Sequence, residues 1–271
     1  MIAALKDRAA LLRARIIETS HRTGTPHLAS CLSCVDILTA LYFEVLRLDP
    51  ARPDLPGRDR FLLSKGHAAP ALFQVLAMRG FYPESRLDTY GEDGGVFGEH
   101  PPAGGQVPGI EAATGSLGHG LPIGLGMALA ARLAGRDNRV FVVLGDGECN
   151  EGSVWEAAMM AAAQRMDNLT IIVDYNKWQA TGRSDEVLAL APLADKWRAF
   201  GWSAVEIDGH DMAAVVDALK RPPEAGRPTA IVAHTIKGRG VSFMEDDNNW
   251  HYRIPGKDEV LAARRELGVA P

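Results

Sequence analysis

Apolar positions recur with two different periods along this chain. Residues 3–19 carry Leu5, Leu12, Ile16 and Ile17 at helical spacing with charged residues between them, which predicts an amphipathic helix. Residues 34–46 continue in the same period. Asp49, Pro50, Pro53 and Pro56 then mark a linker, after which come a short apolar run over 60–63 and a further helical pattern over 69–79. Between 91 and 120 glycine, proline and small residues dominate and no period survives. That stretch predicts a long ordered loop or a binding loop rather than a core element.

Beyond residue 138 the pattern changes character. RVFVVL over 139–144 and NLTIIVD over 168–174 are continuous apolar runs rich in β-branched residues, as expected of parallel strands buried on both faces. Helical stretches at 153–165, 193–200 and 212–219 alternate with strand stretches at 204–207 and 229–234. This order predicts an α/β fold, a doubly wound, mostly parallel sheet flanked by helices. With no internal repeat and no clear boundary, the helical region 1–60 is expected to join it in a single domain over 1–271. Ligands in such folds sit beyond the carboxyl ends of the strands, which directs attention to 145–147, 175–178 and 235–240.

Composition narrows the possibilities. A chain of 271 residues that is 46% hydrophobic can bury a sizeable core, which excludes a disordered protein. A net charge of -5 gives no reason to expect nucleic acid or an acidic membrane as partner. No run of about 18 apolar residues is present to span a membrane. Asp7 and Glu18 speak against an organellar transit peptide and no signal-peptide core is visible, so a cytoplasmic protein is expected. Three cysteines are too few for a disulfide framework. Cys31 and Cys34 form a C-x-x-C that is open to a redox or metal reading, but without a second pair they read as small buried residues at a helix start.

Candidate chemistry begins where the first buried strand ends. Gly145-Asp146-Gly147 opens a helix, so glycine allows close backbone approach while N–H groups at a positive helix terminus suit a diphosphate. Asp146 adds a hard oxygen for Mg²⁺ or Ca²⁺. Asn176 follows the next strand, and adjacent parallel strands would bring it to the same sheet edge, with the Trp178 carbonyl completing the protein's share of an octahedral metal site. A lone G-D-G is also an ordinary strand-end turn; its pairing with N-K after a second buried strand is what favours the metal.

Together with SKGHAAPAL, GEHPPAGGQVPGIEAATGSLGHGLPIGLGMALA, GDGECNEGSVWEAA and HTIKGRGVSFMEDDNNWH, this G-D-G…N pattern resembles the transketolases along nearly the whole chain. The resemblance implies thiamine diphosphate and Mg²⁺ (or Ca²⁺ or Mn²⁺) as cofactors. It also implies ketol transfer between sugar phosphates, and a separate C-terminal subunit that carries the pyrimidine-binding and C-terminal domains in a hetero-oligomer with two of each chain. The glutamate that activates the aminopyrimidine lies, in that family, on the pyrimidine domain, so this chain alone is expected to be inactive. His27, His67, His100 and His251 fall at active-site histidine positions, where several imidazoles near neutral pH serve as donors, acceptors or shuttles. Glu151 matches a carboxylate at the interface between chains in that family, although it also suits the start of the next helix. Cofactor contacts are expected from Ser30, Lys65, His67, Gly115, Ser116, Leu117, Asp146, Gly147, Glu148, Asn176, Lys237 and His251, and metal contacts from Asp146, Asn176 and Trp178. Lys65 and Lys237 are otherwise solvated loop lysines.

His119 lies beside the cofactor loop and could touch the diphosphate, whereas His21, His210 and His234 read as structural. Trp155, Met159 and Met160 are expected in the core. Two positions depart from the family's habit: Tyr252 where glycine is usual, and Trp178 where isoleucine or leucine is usual. Both bear on the sugar accepted. A chain of a different thiamine diphosphate enzyme (deoxyxylulose-phosphate synthase-like or ketoacid dehydrogenase-like) and a non-catalytic cofactor-binding chain stay open as alternatives.

Overall fold

The computed structural model describes residues 1–270. Five parallel strands, β1 (Arg60–Leu63), β2 (Val140–Gly145), β3 (Leu169–Tyr175), β4 (Ser203–Asp208) and β5 (Thr229–His234), form one sheet in the order β1-β2-β3-β5-β4. Period-two alternation splits the central strands between two cores. Phe141, Val143, Ile172, Ile231 and Ala233 face one layer, which includes α1 (Ile2–Thr23), α2 (Leu28–Ser33), α3 (Val35–Ala40), α4 (Ala69–Arg79), α9 (Met212–Lys220) and α10 (Lys257–Glu266). Val140, Val142, Leu144, Ile171, Val173 and Val232 face the other, built with α5 (Gly120–Leu133), α6 (Gly152–Ala163) and α8 (Leu193–Ala199). A single-turn α7 (Ser184–Val187) lies in the connection from β3 to α8. The expected parallel α/β sandwich is the observed one.

Several expectations are corrected in detail. The first helix runs four residues further than its apolar pattern, to a left-handed Gly24 whose N–H reaches Ser20 O. The stretch 34–46 is not one helix: it is α3 followed by a π-helical turn, Leu41–Val45, and α2 precedes it. The apolar run at 60–63 is the edge strand β1, and neither α5 nor α10 was anticipated. Three glycines in α5 (Gly120, Gly124, Gly126) argue against a helix by propensity, yet tertiary contact requires at least one of them. A Cβ on Gly124 would lie 2.6 Å from a Val142 methyl, so the glycine lets the helix close on β2. Met159 and Met160, expected in the core, are 55% and 46% exposed on α6; Trp155 packs at their inner side against Trp197 and Phe200. Cys31, Cys34 and Cys149 are buried and free, as small apolar residues.

Candidate active site

The carboxyl ends of β1, β2 and β3 open into a cavity of about 680 Å³. In the β2–β3 register Gly145 lies opposite Asp174, so Asp146 and Asn176 leave the sheet at the same edge. Asp146 is only 2% exposed. Its Oδ1 accepts the Gly147 N–H (2.9 Å) and its Oδ2 accepts the Lys177 N–H (2.7 Å) and the Ser184 hydroxyl (2.9 Å). None of these donors is a cation, and burial pushes the carboxyl up to about 6. Asn176 is buried nearby, its Oδ1 taking the Trp178 N–H at 3.0 Å. Trp178 lines the same cavity. A buried carboxylate without a cation and a neighbouring amide oxygen are hard oxygen donors of the kind that suits a divalent ion. Among the described residues no three His, Cys, Asp or Glu side chains converge on a metal position, so remaining ligand oxygens would come from a bound molecule.

Lys237 provides the complementary group. It is fully buried, donates to Asn248 Oδ1 (2.6 Å) and meets His251 Nδ1 at 3.0 Å, with no carboxylate partner among the described residues. Burial, then the charge of Lys65, pulls its ammonium down to about 8. A cation in that state fits an anion such as a phosphate oxygen.

Four histidines surround the cavity. His27 stands 5.5 Å from His67, 6.5 Å from His100 and 5.0 Å from His251, measured between ring centroids. His27 holds a left-handed backbone (φ 68°) at the start of α2, and its N–H donates to the His251 carbonyl at 2.7 Å. This ties α2 to the 238–251 segment. Burial lowers His27, lowers His67 well below its ordinary value, and with the Lys237 charge brings His251 to about 3. These three imidazoles are therefore neutral at pH 7. Gly115 (φ 149°) lies under the His100 ring, where a Cβ would come within 2.8 Å of Cδ2. Tyr252, 63% exposed, sets its ring edge-on to His251 at 4.7 Å and beside His27 at 5.9 Å.

All the expected site residues line the cavity except Ser116 and Lys237. Ser116 is exposed and faces away with His119, whose Nδ1 lies 3.3 Å from the Ser116 carbonyl, so His119 belongs to its own loop. Lys237 sits behind the cavity wall, against His251. Lys65 corrects the expectation of a free positive charge. It is buried in an ion pair with Asp174 and also donates to Ser30 O (2.9 Å). Burial alone would lower it, and the Asp174 carboxylate reverses that, raising it; Asp174 in turn is held below its ordinary value. Glu148 likewise works within the protein: its carboxylate takes the Gly118 N–H (2.8 Å), the Gly145 N–H (3.1 Å) and the Ser64 hydroxyl, stapling three loops. Glu151 is exposed at the rim, at the N-cap of α6 but without a side-chain cap bond.

Sequence reasoning missed Asp174, Ser184 and Gln179. A carboxylate inside the apolar run NLTIIVD was a signal available for Asp174. Gln179 sits in a polar loop and Ser184 opens the single-turn α7 after it, with no pattern to mark either.

Fold and site together define a cofactor-binding α/β domain, with unpaired cationic and anionic groups gathered at the carboxyl edge of a parallel sheet. Residues 5–271 match the family described as "Transketolase, thiamine diphosphate binding domain", and the chain belongs to the transketolase family. It is 40% identical over 256 residues to an apulose-4-phosphate transketolase subunit of Phocaeicola vulgatus, covering 94% of this chain and 90% of that one. It is 43% identical over 242 residues to the 6-deoxy-6-sulfo-D-fructose transketolase subunit SqwG of a Clostridium species, covering 89% and 88%. The solved transketolase of Leishmania mexicana superposes with a TM-score of 0.90 at 25% identity; the match covers 99% of this chain and spans 41% of that one.

Proposed function

We propose that this chain binds the diphosphate end of thiamine diphosphate with Mg²⁺ and works with a separate C-terminal subunit. Together they transfer a two-carbon ketol unit from a ketose phosphate to an aldose. The observation that carries this reading is the uncompensated buried carboxylate of Asp146 in the wall of a cavity lined by four histidines, with the buried Lys237, likewise without a carboxylate partner, directly behind His251. Asp146, Asn176 and the Trp178 carbonyl would hold the metal, and the glycine turn 145–147 with Lys237 would hold the diphosphate. When bound, the thiazolium supplies a carbon acid that accepts the ketol unit and delocalises its charge.

This chain's residues then bind, orient and move protons. Neutral His27 and His67 each offer one donor and one acceptor nitrogen, so they can hold sugar hydroxyls and take the proton from the hydroxyl that becomes the departing aldehyde; His251, whose Nδ1 accepts from Lys237, offers its Nε2–H as a donor. His100, fixed over Gly115, faces the same space. Glu148 keeps the loops that carry Gly118 and Gly145 in place. Tyr252 at the mouth and Trp178 on the wall bear on which sugar enters. Relatives of similar length that are named as transketolase subunits support a second kind of chain as partner; the assembly we propose holds two copies of each. Three free, buried cysteines suit the cytoplasm.

Native purification with Mg²⁺ and thiamine diphosphate tests the reading. The expected result is co-purification with a second chain, one cofactor per pair and ketol transfer only by the pair. A homo-oligomer of this chain that alone turned over ketose phosphate would overturn it.

A further inference from the structure

One polar atom in the cavity wall has no partner. The Gln179 Nε2 is buried and makes no hydrogen bond, although its residue lines the cavity beside the glycine turn. A buried amide donor left unmade is costly and rare in native proteins, and such an atom at a site calls for an acceptor from outside the chain. Gln179 lies directly on Gly147: a Cβ there would come within 2.8 Å of its Cγ and 2.9 Å of its Cδ. The glycine therefore makes room for this amide as well as for close approach of a ligand to the backbone.

The position of Gln179 is built from several sides. Its N–H donates to Gly182 O at 2.9 Å, closing a turn in which Trp178 bridges Arg183. Arg183 stacks 3.8 Å over the Trp178 ring and grips both Asp246 oxygens at 2.7 Å, while Trp178 Nε1 reaches Asp246 Oδ1 at 2.7 Å. Asn248 Nδ2 holds Ala180 O at 3.1 Å. The backbone that carries Gln179 is thereby fixed, which lowers the ordering cost of presenting its amide to a ligand.

We infer that Gln179 is a diphosphate-binding residue: its amide N–H donates to an oxygen of the cofactor's diphosphate, on the side of the Gly147 turn. The inference rests on the thiamine diphosphate reading and adds a donor to it. A neutral amide suits the place, because it binds phosphate oxygen without competing with a metal for Asp146.

The test is calorimetric titration of the natively purified protein with Mg²⁺ present, using thiamine diphosphate, inorganic diphosphate and thiamine as probes. Gln179→Met keeps the bulk against Gly147 and removes the donor. It should raise the Kd of thiamine diphosphate and of inorganic diphosphate by about tenfold, and leave thiamine unchanged. Gln179→Glu, which sets a negative charge beside the phosphates, should weaken both diphosphates further. If Gln179→Met binds all three probes within about twofold of the parent while Asp146→Ala abolishes diphosphate binding, the cofactor reading stands and the role of Gln179 is overturned. An equal loss for thiamine and thiamine diphosphate would mean a loosened turn and overturns it too. If Asp146→Ala binds like the parent, the site reading fails, and this inference with it.

Discussion

Two sets of buried charges lie at the carboxyl edge of this sheet, and they are treated differently. Lys65 and Asp174 form a closed unit: the ammonium is shared among Asp174, Ser30 O and Ser33, and Asp174 also receives Ser33 and Thr235 hydroxyls. Each charge stabilises the other, and their pKa values move apart accordingly. Asp146 and Lys237 have no such partners, and burial drives both toward the neutral form, to about 6 and about 8. The first pair is complete without a ligand; the second is complete only with one. Buried charge alone thus does not mark a functional group. Lack of compensation does.

Breaking the closed pair should give the largest effect. Lys65→Met leaves Asp174 buried and unpaired, and should lower unfolding stability by about 3–5 kcal/mol in urea titration. Asp146→Asn should act mainly on the ligand. Relief of the buried charge is offset by an amide NH₂ that now faces the Gly147 or Lys177 N–H, so stability should stay within about 1 kcal/mol, while Mg²⁺-supported cofactor affinity falls at least about 100-fold. Parent-like affinity in that variant would place the metal elsewhere.

A pH series sharpens the contrast without mutation. Protons compete with metal at Asp146, so cofactor affinity should be flat above about 6 and fall about tenfold per unit below it. His67 and His251 act on folding in the same range. Their folded pKa values lie below the ordinary 6.5, so the unfolded chain takes protons first. Stability is therefore full above 6.5 and is lost as pH falls toward the folded values, which thermal melts between pH 7 and 5 would record. The smallest effect is expected from Tyr252→Gly: within about 0.5 kcal/mol in stability, because the ring is largely exposed, but a change in KM between short and long sugar phosphates.

Much of this was legible in the residues. β2, β3 and β5 announced themselves because parallel strands buried on both faces leave continuous apolar runs, and Gly145-Asp146-Gly147 followed by Asn176 pointed to a candidate site at the ends of β2 and β3. Helix α5 was hidden because its glycines answer to β2 across the interface rather than to helix propensity. The state of Lys65 was hidden for a related reason: a lysine in a loop motif looks solvated, and only the third dimension shows Asp174 beneath it. Gln179 was unreadable, since an unmet hydrogen bond is a property of neighbours and leaves no trace in composition or period.

His27 carries a different kind of consequence. Its left-handed backbone is one that a side chain resists, and glycine at this position should be about 1 kcal/mol more stable than alanine, as chemical denaturation of the two variants would measure. A laboratory selection that rewarded heat resistance alone would favour any substitution that relieved the strain at 27 or the uncompensated burial at 146. Each step would be scored as an improvement, and the survivors would be robust molecules with an empty purpose. Any stabilised version of this protein needs to be chosen under ligand, so that the screen sees what these two residues are for.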